Sequence, residues 1–336
     1  MKVLVTGASG MLGGGVARAL AARGDDVTVL QRRPSGLTDL GLREVLGDLV
    51  DPEVLSRATA GQDAVVHLAA KVNVLGRWED YVRVNVVGTR TILDAARRHD
   101  VPRFVHTSSP SVAHAGDSIV GEGAGPADPE RARGDYARSK ALSERIALAA
   151  DARNARDGVG PAVCAVRPHL VWGPGDTQLV ARVIRRAQEG RLPVIGSGAA
   201  LVDTTYVDNA VDAFVAALDR CTDVRGESFV VTNGEPRPVS EVFAAWARAG
   251  GADPAPTRIP TRLAYVAGSA VDAVTAVRER IGTVDEADPP LTRFLVEQLT
   301  TAHWFDQRRT REVLDWTPRV SIAEGMAALA RHYSGT

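Results

Sequence analysis

An α/β fold, with a doubly wound parallel sheet and a smaller C-terminal substrate lobe, is predicted by three observations. Short β-branched runs alternate with helical periods through the first half, a glycine-rich turn joins the first run to the first helix, and the alternation loosens after Arg167. A length of 336 residues suits one large domain with an appended lobe, since domains average about 150 residues. Lys and Arg (40) balance Asp and Glu (41), with 45% hydrophobic and 24% charged residues. This is the makeup of a globular chain without the basic excess that neutralises a phosphate backbone, which excludes a nucleic-acid partner.

In order, the elements are a strand at Val3 to Thr6, a helix near Leu12 to Arg23 stopped by Gly24, and strands at Val27 to Leu30 and Val45 to Leu46. A short helix begins at Asp51-Pro52, where the carboxylate caps and the proline is pre-set for the first turn. A strand at Ala64 to Leu68, a helix near Asp80 to Arg98, a strand at Phe104 to Thr107, a long helix near Asp135 to Ala152 and a strand at Val163 to Val166 follow. Strand, helix and strand in succession imply right-handed crossovers and a parallel sheet. Further helices are expected near Gln178 to Glu189, Val207 to Asp219 and Val239 to Ala249, with a strand near Ser228 to Thr232. The cofactor domain is therefore set at 1–175, with 200–235 partly returning to it, and the substrate lobe at 176–199 and 236–336.

Thr261 to Ile281 is apolar over much of its surface, but Asp272 and Arg278-Glu279-Arg280 interrupt it. It falls short of the roughly 18 uninterrupted apolar residues of a membrane span and predicts an amphipathic packing helix, with contact to a membrane surface as the alternative. Pro289-Pro290, a second helix at Leu291 to Leu299 and the pair Trp304-Phe305 are expected to help roof an apolar cavity. Two cysteines, Cys164 and Cys221, are too few for a disulfide framework, and Cys164 lies in the apolar run Ala162 to Val166. Met1-Lys2 leads directly into the first strand, leaving no room for a signal peptide, so a cytoplasmic location is expected.

The first chemical motif is Gly7-Ala8-Ser9-Gly10-Met11-Leu12-Gly13, between the first strand and the first helix. Gly7 permits the tight turn, Gly10 admits a pyrophosphate close to the backbone, and Gly13 allows close helix–sheet packing, while the helix N-terminus attracts the phosphate charge. Gly14 and Gly15 are read only as local flexibility. About 20 residues after the glycines, a carboxylate would hold the ribose 2′-hydroxyl of NAD. Here the second strand ends Leu30-Gln31-Arg32-Arg33, with nothing anionic to repel a 2′-phosphate and two guanidiniums to pair with it. The cofactor predicted is NADP, bound as NADPH.

Only three of the 40 basic residues are lysine, Lys2, Lys71 and Lys140, so a lysine here marks chemistry for which arginine cannot substitute. Lys140 stands four residues after Tyr136, on the same helical face, where its ammonium can stabilise a phenolate. Ser109, at the end of the fifth strand, can donate a hydrogen bond to a carbonyl, with Ser111 its nearest competitor. The catalytic set predicted is Ser109, Tyr136 and Lys140. The seven histidines lack metal-ligand spacing, and no metal is expected.

The sequence resembles the extended short-chain dehydrogenase/reductase superfamily, which has a Rossmann fold, over nearly its whole length. The resemblance is carried by the glycine motif, Gly47-Asp48-Leu49, His67-Leu68-Ala69-Ala70, Asn85-Val86-Val87-Gly88-Thr89, Tyr136 to Lys140, Arg167-Pro168 and Leu314-Asp315-Trp316-Thr317-Pro318. It implies that Asp48 and Leu49 approach the adenine, that Ala69, Ala70 and Lys71 lie on the nicotinamide side, and that Asn85 supports a site water or the main chain. Arg167, Pro168 and His169 join Ser9, Met11 and Leu12 in the implied cofactor set. Position 31 departs from the acidic pattern of NAD-using members. Within the superfamily the chain is similar to the 3β-hydroxysteroid dehydrogenase branch, and there to the 2-alkyl-3-oxoalkanoate reductases of bacterial long-chain olefin synthesis. The stretches involved are Arg167 to Asp176, Val202 to Ala210, Asn233 to Pro236 and Pro290 to Leu295.

That resemblance implies NADPH-dependent reduction of the 3-keto group of a long-chain 2-alkyl-3-oxoalkanoic acid, with His114 and Arg167 as candidate partners of its carboxylate. It also implies a homodimer paired through the helices near 80–98 and 135–152, and association with other enzymes of olefin synthesis. A hydroxysteroid dehydrogenase is the alternative. A sugar-nucleotide epimerase would need diphosphate-binding groups that Thr261 to Leu299 does not offer, and a noncatalytic NADP-binding scaffold would have no use for Ser109, Tyr136 and Lys140 together.

Overall fold

The computed structural model describes residues 1–72, 76–254, 257–280 and 291–335. Seven of its strands are β1 (Lys2–Thr6), β2 (Asp26–Gln31), β3 (Arg43–Leu46), β4 (Ala64–His67), β5 (Arg103–Thr107), β6 (Ala162–Pro168) and β7 (Ser228–Val231). They form one sheet in the order β7-β6-β5-β4-β1-β2-β3, every neighbouring pair parallel. Val3, Leu4 and Val5 are all fully buried, yet Val3 and Val5 join one core while Leu4 joins the other. A strand covered on both faces reads as a continuous apolar run, which is why these strands do not alternate in sequence. The chain reverses its winding between β1 and β4, and ligands of such sheets sit at that crevice beyond the strand ends.

The helices are α1 (Met11–Ala22), α2 (Pro52–Thr59), α3 (Gly88–Arg98), α4 (Gly134–Asp157), α5 (Leu179–Gln188), α6 (Val207–Arg220), α7 (Val239–Ala249), α8 (Thr261–Arg280), α9 (Arg293–Thr300), α10 (Arg308–Leu314) and α11 (Ile322–Ser334). The Asp51 side chain accepts hydrogen bonds from the amides of Glu53 and Val54 and so starts α2, with Pro52 in its first turn. Gly24, at φ +92°, follows α1, and Gly158, at φ +69°, closes α4. α1 and α6 cover one face of the sheet, whereas α2 and α3 cover the other.

Several expectations change. The helix expected over Asp80 to Arg98 is three pieces, a turn at Trp78–Tyr81, a π-helical segment at Val82–Val87, and α3. Gly14 and Gly15 are packing positions instead of flexible ones: a Cβ on Gly14 would lie 2.9 Å from the Ala8 carbonyl, and one on Gly15 2.6 Å from Val211 on α6. The two cysteines are neighbours, with sulfurs 3.8 Å apart, a proximity between β6 and the end of α6 that no local spacing reveals. α4 runs on past Ala152 to Asp157. Leu291 and Thr292 precede α9, and the Thr292 hydroxyl caps it by accepting from the Leu295 amide. Ile281, Pro289 and Pro290 lie outside the described residues.

The C-terminal segments are held together by short pieces. Arg237–Pro238, Leu201–Val202, His303–Phe305 and Ile119–Glu122 make a four-stranded sheet, and two further ladders pair Thr205–Tyr206 with Val171–Trp172 and Arg258–Ile259 with Val194–Ile195. Ala264 of α8 and Val296 of α9 pack with Ile195, while Leu263, Val266 and Val274 of α8 face outward. Among the described residues no helix is long and apolar enough to cross a membrane.

Candidate active site

Beyond the end of β1, Gly7 adopts φ +80°, and a Cβ there would meet the Ala69 amide nitrogen at 2.7 Å. At Gly13 a Cβ would reach 2.2 Å from the Gly7 carbonyl, so α1 can start this close to the turn only with glycine. Gly10 differs. Its φ of −87° is ordinary and a Cβ would meet only the Gly7 carbonyl, at 3.5 Å, so nothing within the protein requires glycine there. A group approaching the backbone from outside, at a helix N-terminus with Gly10 as its N-cap, accounts for it, and a dinucleotide pyrophosphate fits that cradle. Met11 and Leu12 turn partly into the core, and Ser9 is exposed.

The wall opposite the cradle is set by hydrogen bonds. Thr6 Oγ1 accepts from the Ala69 amide at 3.1 Å and contacts His67 Nδ1 at 2.8 Å. Asn85, on the π-helical segment, accepts from the Lys71 amide at 2.8 Å, donates to the Lys71 carbonyl at 3.0 Å and donates to Ser139 Oγ at 2.9 Å. It thereby ties the chain after β4 to α4, which carries Tyr136 and Lys140. The Lys71 ammonium lies 5.3 Å from the Tyr81 ring centroid.

At the ends of β2 and β3 the sequence reading was incomplete. Gln31 is buried, and its amide donates at 2.7 Å to Glu44 of β3, which also accepts from the Ser35 amide at 2.7 Å. A carboxylate therefore does stand near position 31, but both contacts turn it toward the Ser35 loop. Arg32 and Arg33 are exposed. Asp48 accepts from Arg83 at 2.8 Å and from the Val50 amide at 3.2 Å. Burial alone would raise its carboxyl; these bonds and the charges of Arg83 and Arg32 hold it below the usual range. Leu49 lies against Gly88 at the start of α3.

The catalytic candidates converge from β5 and α4. Ser109 caps the 3₁₀ turn Pro110–Ala113, its Oγ accepting from the Ser111 amide at 3.3 Å and from the Ser111 hydroxyl at 2.9 Å. With both lone pairs engaged, the Ser109 proton is left to be donated onward, and Tyr136 is its hydrogen-bond neighbour. Ser111 thus supports Ser109 instead of competing with it. Burial of the Tyr136 hydroxyl pushes it up to about 12, with the Ser109 bond opposing. The phenol is thus the acid form of the acid–base group that the Tyr136 and Lys140 spacing predicts. Lys140 Nζ donates to the Thr107 carbonyl. Burial lowers Lys140 to about 8, and the charge of Glu144, one turn further along α4, opposes the drop.

Glu144 explains Arg167. This arginine is fully buried; its Nε donates to Glu144 at 2.8 Å, its Nη2 to the other oxygen of the same carboxylate, and its Nη1 to the Gly125 carbonyl at 2.7 Å. A guanidinium so engaged cannot also hold a cofactor or a substrate carboxylate, and Arg167 leaves both roles expected of it. Pro168 ends β6. The ring of His169 faces His303 and Phe305, with Nδ1 at the Asp203 carbonyl, and burial lowers it to about 4. The His114 ring lies tilted against His303, with centroids 4.7 Å apart, and meets Gln298 of α9 at 3.2 Å. His67 and His106 lie side by side on β4 and β5, held neutral first by burial and then by the charge of Lys140, His67 at about 3. Among the described residues no group of His, Cys, Asp and Glu has metal-binding geometry.

The sequence profile of the NAD dependent epimerase/dehydratase family matches residues 3–232. A 2-alkyl-3-oxoalkanoate reductase of Stenotrophomonas maltophilia (strain K279a) is 38% identical over 98% of each chain, and one of Shewanella oneidensis is 35% identical over 97% of this chain and 84% of its own. A 3-beta-hydroxysteroid dehydrogenase of Mycolicibacterium neoaurum is 28% identical over 99% of this chain and 91% of its own. Among solved structures, MoeE5 in complex with UDP-glucose and NAD superposes with a TM-score of 0.73 at 28% identity, covering 100% of this chain and 99% of that one. The DesIV dTDP-glucose 4,6-dehydratase of Streptomyces venezuelae, a double mutant, shares the fold with a TM-score of 0.75 at 24% identity, covering 99% of this chain and 97% of that one. With a parallel Rossmann sheet, a glycine cradle at its switch point and a Ser109–Tyr136–Lys140 centre beside it, the chain belongs to the NAD dependent epimerase/dehydratase family, the extended short-chain dehydrogenase/reductases, and is an oxidoreductase acting at a CH–OH carbon.

Proposed function

We propose that the protein reduces the 3-keto group of a long-chain 2-alkyl-3-oxoalkanoic acid to the 3-hydroxy acid, with NADPH as cofactor. The observation that carries the reading is the pair of 2-alkyl-3-oxoalkanoate reductase relatives, 38% and 35% identical, and Tyr136 beside Ser109 supplies a phenol able to give a proton to a developing alkoxide. A bound nicotinamide cofactor would supply the hydride. Ser109 donates to the keto oxygen, and Tyr136 delivers the proton to it. Lys140, cationic below about pH 8, favours negative charge on the tyrosine once the proton has left. Gly7, Ser9, Gly10, Gly13, Asp48, Leu49, Ala69, Ala70, Lys71 and Asn85 are assigned to holding the cofactor, with Arg32 and Arg33 at its 2′-phosphate.

The substrate reading is supported by the two reductase relatives and by the packing of α8 against α9, whose Phe294 lies next to Gly134 at the start of α4. Residues 176–199 and 236–336 are assigned to the lobe that covers the alkyl chains, and two copies are assigned to pair through α3 and α4, in association with other enzymes that make long-chain olefins.

The test follows NADPH consumption and hydroxy-acid product over a chain-length series, beside a 3-ketosteroid and a sugar nucleotide. Each buried CH₂ contributes about 0.8 kcal/mol, so catalytic efficiency is expected to climb with alkyl length until the cavity is filled. Preference for the steroid would move the assignment to a hydroxysteroid dehydrogenase; a flat series would remove the long-chain substrate.

A further inference from the structure

Arg83 belongs to no motif, yet it lines the same cavity as Arg32. That cavity, of about 460 Å³, is bounded by Arg32, Lys71, Asp80, Arg83 and Gln178 together with Ala70, Val72 and Val84. With Asp48 behind Arg83, three cationic side chains stand against two carboxylates, Asp48 and Asp80, an excess of one charge that suits an anion. Asp48 fixes the arrangement from one side. One of its oxygens is held by the Val50 amide and the other by Arg83 at 2.8 Å, so the guanidinium is placed before any ligand arrives. Arg32 acts on the same carboxylate through its charge.

We propose that Arg83 is the second arginine of the 2′-phosphate site, set in place by Asp48 and closing on a ribose 2′-phosphomonoester from the side opposite Arg32. Two arginines sharing one aspartate carry a surplus positive charge. A 2′-phosphate neutralises that surplus, whereas a 2′-hydroxyl leaves it unbalanced. The fork of Arg83 retains N–H donors beyond the one given to Asp48, which a phosphate can take without breaking the pair. The π-helical segment is part of the device, because it carries both Arg83 and Asn85 and so couples the phosphate end of the cleft to the chain at Lys71.

The inference rests on the NADPH reading, and binding measurements separate the two. Dissociation constants of NADPH and NADH are taken from nicotinamide fluorescence, and those of 2′,5′-ADP and 5′-AMP from calorimetry, for the wild-type protein and for Arg83→Gln. The wild type tests the reading alone: equal affinity for NADPH and NADH would overturn it and the inference with it. If NADPH is preferred, Arg83→Gln is expected to weaken NADPH and 2′,5′-ADP roughly tenfold, the range of one charge-assisted contact, while changing NADH and 5′-AMP less than about twofold. The unchanged NADH affinity also shows that the variant is folded. The fall of NADPH affinity with salt should become shallower in the variant. Equal losses for both cofactor pairs, or no loss for either, would overturn the role of Arg83 and leave the NADPH reading standing on Arg32.

Discussion

The cofactor turn and the C-terminal lobe are built to opposite tolerances. At Gly7 and Gly13 one added carbon would press to 2.7 and 2.2 Å from backbone atoms, and the strands beneath are buried on both faces. Toward the C-terminus the strands are only two or three residues long, and α8 presents Leu263, Val266 and Val274 outward. The contrast teaches where each kind of information sits. Chemistry requires a few atoms at fixed positions, so it is enforced by backbone contact that tolerates almost no change. The large apolar substrate proposed for this protein requires area instead, and area can be supplied by many packings.

The largest test of this contrast is Tyr136→Phe, which keeps the ring and removes the proton: turnover is expected to fall roughly 100-fold or more while NADPH still binds. Near-normal turnover would place the reaction elsewhere. Gly13→Ala and Gly10→Ala sharpen the distinction within the turn itself. The first should lower thermal stability, by about 1–3 kcal/mol as for other overpacked sites, and the second should leave the melting temperature alone while cofactor affinity collapses. Equal melting temperatures would refute the reading of the cradle. Arg32→Ala should weaken NADPH roughly tenfold more than NADH in equilibrium titration.

A pH series separates activity from stability at Lys140 by sign. Lys140 is cationic only below about 8, so ketone reduction should decline as pH rises through that value. Its folded value lies below the 10.5 of an unburied lysine, so from about 8 to 10.5 the unfolded chain binds the extra proton, and this group's contribution to stability rises with pH across that window. Activity falling while the contribution of this site to stability grows, the latter read as the difference between wild type and Lys140→Met in denaturant titrations, is the expected pattern. The smallest effect is expected at the outer face of α8, where Leu263→Ser or Val266→Ser should shift stability by no more than about 0.5 kcal/mol in the same titrations.

The sheet was legible because its signal is local. Apolar runs such as Val3-Leu4-Val5 and Val163 to Val166, bounded by glycine or proline, announce buried parallel strands whatever the rest of the chain does. The Tyr136 and Lys140 spacing was legible for the same reason, since a helix turns sequence distance into a shared face. What escaped is whatever depends on residues far apart in sequence. Glu44 reaches Gln31 across two strands, Arg167 finds Glu144 on α4 and so loses its expected ligand role, and Gly15 is glycine because Val211 passes above it. The short ladders, such as Val171–Trp172 with Thr205–Tyr206, have too few residues to show a period at all.

The π-helical segment Val82–Val87 has a consequence for how the chain tolerates length change. An α-helix advances about 100° per residue, and a π turn absorbs an additional residue, so the two sides of the segment are separated by one residue more than a regular α-helix of the same facing would need. Along it and the helix that follows, Tyr81 is fully buried, Arg83 reaches Asp48, Asn85 grips Lys71 and Ser139, and Ile92 faces the sheet core. The segment works as a counting device: deleting a single residue from it would let the α-helix close up with both flanks kept in place, at the cost of the contacts that Arg83 and Asn85 make within it. Such a deletion would disconnect the cofactor cleft from α4 more completely than any substitution within Val82–Val87.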